Sequence, residues 1–307
     1  MPLQYSPEFL KALAPLLPAL TSRAKPAIHD IQSRRNNHGF VEKLLDAFPT
    51  ATEVEETVHH AEAADGYQIA VHAFTRKEKS HTPTAAVLHC HGGGMIMGSV
   101  AAFSKGIANQ VARTGLPFFS VDYRLAPEHT GTGPVDDCYQ GLLWVMEHST
   151  QFGVDSSRIA VMGESAGGGI AAGVVLQARD KGLRPPLAKQ VLVYPMLDDR
   201  NNKPIEALEP LAFWKDKAGI PEADVSEYAA PARAKNLSGL PSAYIDVGGL
   251  DIFRDEDIEF ARRLAAENVE IEFHLFPGVP HGFDLLAPDA PVSIRANEHR
   301  YRALSTI

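Results

Sequence analysis

From residue 85 onward, apolar runs too short for helices recur at 85–90, 116–122, 159–162, 190–194, 243–247 and 269–276. Between them the spacing turns helical, near 104–113, 135–148, 168–180 and 257–267, with Val135, Cys138, Leu142 and Val145 marking one face clearly. Buried strands alternating with helices imply βαβ units and a mostly parallel sheet covered on both faces, so the expected fold class is α/β. Ahead of this block, Tyr67, Ile69, Val71 and Ala73 alternate with Gln68, Ala70, His72 and Phe74, as in a half-exposed strand. Residues 1–50 read as helical. Ser6-Pro7-Glu8 supplies an N-cap, a first-turn proline and a first-turn acid, and Phe9, Leu10, Leu13 and Leu17 follow at helical spacing. At about 198–240 the alternation pauses, and a helix-like piece carries Leu208, Leu211, Phe213 and Trp214. That stretch reads as an insertion over the sheet within a domain spanning 51–307.

With 307 residues and 45% apolar composition, the chain can bury one large core. Acidic residues outnumber basic ones, 38 to 29, for a net charge of −9, and no long like-charge block occurs. Nucleic-acid and membrane roles therefore have no electrostatic basis. Pro15 and Pro18 interrupt the N-terminal leucines and no basic segment precedes them, so neither a signal peptide nor a membrane span is expected there. Cys90 ends an apolar run and Cys138 lies in an amphipathic pattern. Two buried reduced thiols suit a cytoplasmic protein, expected as monomer or homodimer.

The chemistry centres on Ser165. A strand-like run meets Gly163-Glu164-Ser165-Ala166-Gly167 and passes into a small-residue helix, a G-x-S-x-G turn that lifts the serine above the sheet edge. It also leaves the Ala166 N–H free where the helix dipole favours negative charge. His91-Gly92-Gly93-Gly94 follows the 85–90 run, and no G-K-S/T ending makes it a phosphate loop. The glycines read better as an oxyanion hole built from the N–H groups of Gly92, Gly93 and Ala166. An activated serine needs a base and a group that orients it. Among 13 histidines, His281 stands in a loop just after a strand; Asp251 occupies another post-strand loop, with Asp246, Asp255 and Asp257 as competitors. Asp246 lies within a strand and the other two would enter a helix, where acids favour the dipole. His89, Cys90 and His91 resemble metal ligands by type, but strand alternation turns Cys90 away from both histidines, so no metal is expected.

Taken together, His91-Gly-Gly-Gly94, D-Y-R-L-A-P-E at 122–128, G-E-S-A-G-G at 163–168, Y-P-M-L at 194–197, D-I-F-R-D-E at 251–256 and H-G-F at 281–283 resemble the hormone-sensitive-lipase branch of the α/β-hydrolase family. The resemblance implies Ser165 as nucleophile, His281 as base and Asp251 as its orienting acid. It also implies a helical cap made by residues 1–50 and the 198–240 insertion, a structural role for the 122–128 segment, and hydrolysis of small carboxylic esters without cofactor. Two departures are visible: Glu164 where the family usually has aspartate, and Met95 where an aromatic often follows the glycines. Met95, Phe213 and Trp214 are candidate pocket residues, the last two equally suited to anchoring the cap. An amidase, lactonase or carbamate hydrolase would use the same triad, and a non-catalytic ligand receptor would be expected to lack one of its members.

Overall fold

The computed structural model describes residues 3–22, 26–27, 30–78, 80–200 and 224–307. The apolar runs become β3 (Thr84–Cys90), β4 (Phe118–Asp122), β5 (Val154–Glu164), β6 (Lys189–Val193), β7 (Ser242–Gly248) and β8 (Ile271–Phe276). Between them lie α5 (Val100–Thr114), α6 (Gly133–Glu147), α7 (Ala166–Asp180) and α8 (Arg254–Ala266). The alternating segment forms β2 (Gln68–Arg76), preceded by β1 (Val54–Glu62). Among the described residues, four helices open the chain: α1 (Pro7–Leu13), α2 (Leu17–Thr21), α3 (Ile31–Asn37) and α4 (Gly39–Asp46). Two close it: α9 (Phe283–Leu286) and α10 (Pro291–Ser305).

The sheet order is β1-β2-β4-β3-β5-β6-β7-β8. β2 pairs antiparallel with β1 and β4, and the remaining pairs are parallel. Strand alternation divides the core in two. Leu88, Cys90, Val121, Val161, Leu192 and Ile245 pack under α6, α7 and α8, with Val135, Cys138, Leu142 and Val145 buried among them. Val87, Phe118, Met162, Val193 and Tyr244 face the other way, toward α1, α5 and α10. Both faces of the parallel strands are thus covered, which is why those strands are continuous apolar runs.

From β3 the chain crosses to β4 on one side and then to β5 on the other, so the winding reverses between β3 and β5. In open α/β sheets the crevice beyond the strand ends at such a reversal is where ligands bind. The glycine loop leaves β3 here and the serine turn leaves β5, with Cys90 paired to Gly163.

The opening helices are tied to the body at several places. Ser6 N–H donates to the Gly278 carbonyl at 2.8 Å, and Phe9 and Leu13 are buried in the second core. Arg35 of α3 donates to the carbonyls of Ile96 (2.7 Å) and Ala126 (2.9 Å) and forms a bidentate pair with Glu128. Within the described part of 198–240, Leu237 and Leu240 pack into the first core and Arg233 pairs with Asp199 at 2.6 Å; Leu208, Leu211, Phe213 and Trp214 lie outside the described residues. Among the described residues no helix is long and apolar enough to cross a membrane.

Candidate active site

Ser165 caps α7 with φ 58° and ψ −122°, a left-handed backbone that a non-glycine residue adopts only under constraint. Packing supplies the constraint. A Cβ on Gly163 would collide with the Gly167 carbonyl, and one on Gly167 with the Cys90 carbonyl of the neighbouring strand. The spacing of the motif is therefore set by how closely β5, α7 and β3 approach.

The three expected side chains meet in one hydrogen-bonded line. His281 Nε2 lies 2.8 Å from Ser165 Oγ, and His281 Nδ1 lies 2.8 Å from Asp251 Oδ2. Asp251 is fully buried, and its other oxygen accepts the Phe253 N–H at 2.9 Å. The carboxylate thus holds His281 as the Nδ1–H tautomer, with Nε2 turned to the serine hydroxyl. Tyr194 and Phe253 press ring edges on the imidazole, with centroids 4.8 and 5.1 Å away. The competing aspartates have other work or other places. Asp246 is bound to Arg300 and Tyr244, Asp255 pairs with Arg254 at the surface, and Asp257 lies within α8.

The Gly92 N–H donates to Glu164 Oε1 at 3.3 Å, so it is engaged by a side chain and is not a spare donor. Among the described residues the N–H groups of Gly93, Gly94 and Ala166 meet no acceptor. The 122–128 segment serves structure: Tyr123 Oη donates to the His91 carbonyl at 2.8 Å, and Arg124 forks onto the buried Asp137. His91 lies flat against Tyr123, centroids 4.3 Å apart, and donates Nδ1–H to its neighbour's carbonyl at Gly92. Burial pulls its pKa down to about 4, against smaller opposing pulls from that carbonyl and Asp122, so the ring is neutral near pH 7. Met95 is half-buried against the first core, and Ala126 N–H donates to its carbonyl at 2.8 Å.

His89, Cys90 and His91 do not converge: Cys90 enters the first core, while His89 bonds Ser120 and Glu164. Among the described residues Glu272, His274 and His299 bring potential ligand atoms within 4.8 Å, but the carboxylate is already engaged by Arg302 and His274.

A parallel sheet reversing at β3/β5, with a strained serine beyond it and a histidine–aspartate pair behind the serine, defines a class of protein. A family model described as alpha/beta hydrolase fold matches residues 87–285, and the chain belongs to that family, in its hormone-sensitive-lipase-like branch. The chain is 37% identical over 234 residues to esterase LipI of Mycobacterium tuberculosis, covering 72% of each. It is 34% identical over 236 residues to carboxylesterase NlhH of the same species, covering 71% of this chain and 72% of the relative. A bacterial heroin esterase superposes with a TM-score of 0.86 at 35% identity, covering 99% of this chain and 98% of that one.

Proposed function

We propose that the protein is a serine carboxylesterase that hydrolyses short- to medium-chain esters through an acyl-enzyme. The observation that carries this reading is the Ser165–His281–Asp251 line with its two 2.8 Å contacts. Esterase relatives covering most of the chain support the ester class.

Ser165 Oγ attacks the ester carbonyl while His281 Nε2 takes its proton, and Asp251 stabilises the resulting imidazolium. The tetrahedral oxygen is received by Ala166 N–H and the free glycine donors, Gly93 and Gly94. His281 then returns the proton to the leaving alcohol. A water molecule, activated in the same way, releases the acid. The opening helices, tied to the glycine loop through Arg35, form part of the roof, with Met95 as a pocket wall.

The expected acyl window rests on space. Each buried methylene adds about 0.8 kcal/mol until the pocket is full, after which overpacking opposes binding. kcat/KM for 4-nitrophenyl esters from acetate to palmitate, beside an amide and a lactone, tests the reading. It should peak at roughly two to eight acyl carbons. A maximum at palmitate, or faster cleavage of the amide or lactone, would refute it.

A further inference from the structure

The donors for the tetrahedral oxygen come from two separate elements: the glycine loop after β3 and the first turn of α7. An oxygen can be held only if both sets sit about 3 Å from one point, which demands that the two elements be fixed relative to each other within about half an ångström. The loop has ties on its outer flank, from Tyr123 to the His91 carbonyl, from Ala126 to the Met95 carbonyl and from Arg35 to the Ile96 carbonyl. None of these reaches the serine turn. Among the described residues, one side-chain hydrogen bond joins the glycine loop to the strand that carries Ser165: Gly92 N–H to Glu164 Oε1.

Glu164 is itself held. Its second oxygen lies 3.0 Å from His89 Nε2, and His89 Nδ1 lies 2.9 Å from Ser120 Oγ. His89 is 1% exposed, and the Glu164 side chain 16%. The arrangement is self-consistent with a neutral ring: Ser120 O–H donates to Nδ1, and Nε2–H donates to the carboxylate. A largely buried negative charge one residue from the nucleophile opposes a developing oxyanion, so charge stabilisation does not explain it. Its two accepted hydrogen bonds do.

We propose that Glu164 is a positioning residue, bridging the serine turn and the glycine loop so that Gly93, Gly94 and Ala166 N–H groups converge on one oxygen, with His89 and Ser120 setting its orientation. The proposal rests on the serine-esterase reading above. Reach matters as well as chemistry: an aspartate at this position is one methylene shorter and cannot span the same gap from the same backbone.

The test compares Glu164→Ala, Glu164→Met, Glu164→Asp and Glu164→Gln with Ser165→Ala, using 4-nitrophenyl butyrate, a trifluoromethyl ketone that forms a tetrahedral adduct on the serine, and butyrate as a ground-state ligand. The Ala and Met variants should lose about 100-fold in kcat with KM within threefold, in line with weakening an oxyanion donor. Ketone affinity should fall in parallel while butyrate affinity holds. The Asp variant should also be impaired. Glu164→Gln should stay within about fivefold of wild type, since its amide oxygen accepts the Gly92 N–H while its NH2 donates to His89 in the other tautomer. Wild-type kcat in both Ala and Met variants would overturn the proposal. So would equal loss of ketone and butyrate binding, or a Gln variant as damaged as Ala. Should Ala fail to fold, the Met and Gln variants decide. Ser165→Ala separates the two claims: if it remains active, the esterase reading fails instead.

Discussion

Asp251→Asn tests the geometry of the site without changing its volume. Both carboxylate oxygens act as acceptors, one from His281 Nδ1–H at 2.8 Å and one from Phe253 N–H at 2.9 Å. An amide has one oxygen to offer. If it stays with the Phe253 N–H, the NH2 faces Nδ1 and the histidine must move its proton to Nε2. It then no longer accepts from Ser165. If the amide flips, its NH2 meets a backbone donor inside a fully buried site. The first arrangement has the lower energy and the wrong tautomer, so kcat should fall by about 10⁴-fold. That is a barrier increase of about 5 kcal/mol. Asp255→Asn is the control, since Asp255 is 52% exposed and pairs locally with Arg254. Steady-state kinetics on 4-nitrophenyl butyrate, with circular dichroism to confirm folding, measures both. A folded Asp251→Asn enzyme within tenfold of wild type, or equal losses in the two variants, would refute the reasoning.

Gly167→Ala places a methyl against the Cys90 carbonyl and should cost about 3 kcal/mol or more in urea unfolding, with turnover lost as the serine turn shifts; unchanged stability would contradict the packing account. Arg300, 4% exposed, forks onto Asp246 at 2.6 and 3.0 Å and also pairs with Asp284, whose other oxygen accepts from Tyr194 beside His281. Arg300→Ala should therefore destabilise by about 3–5 kcal/mol, and a loss below about 1 kcal/mol would mean the pair is better solvated than its burial indicates. His91 supplies an acid-sensitive component. Unfolded histidine binds a proton near pH 6.5, whereas folded His91 resists until about 4. Its stabilising contribution is therefore complete above 6.5 and drains away as pH falls toward 4. Urea stability of wild type should drop by about 2–3 kcal/mol more than that of His91→Phe between pH 7 and 4.5, and parallel profiles would refute this.

What the sequence revealed follows from how each element is buried. β3 to β7 have both faces covered, so they appear as unbroken apolar runs, and Ser165, Asp251 and His281 stand just past strand ends, where α/β sheets carry function. β1 escaped because it pairs on one side alone and is mostly polar and exposed; Val58 is 51% exposed. α10 escaped because a core-facing position is held by Arg300, a charge neutralised by Asp246 more than fifty residues earlier, which breaks the apolar periodicity. The engagement of the Gly92 N–H was hidden for a similar reason. A glycine run identifies a loop with available N–H groups, but which of them is consumed depends on Glu164, 72 positions away in the chain. Pairings of this kind are tertiary and leave no local pattern.

The central claim is that Ser165 is the nucleophile of an ester hydrolase. Its most direct test is labelling with a fluorophosphonate, followed by intact-mass analysis and peptide mapping. One adduct per chain should form on the peptide carrying Ser165, with ester hydrolysis lost in proportion to labelling. An adduct on a different serine, or full ester hydrolysis with Ser165 unlabelled or quantitatively blocked, would contradict the account.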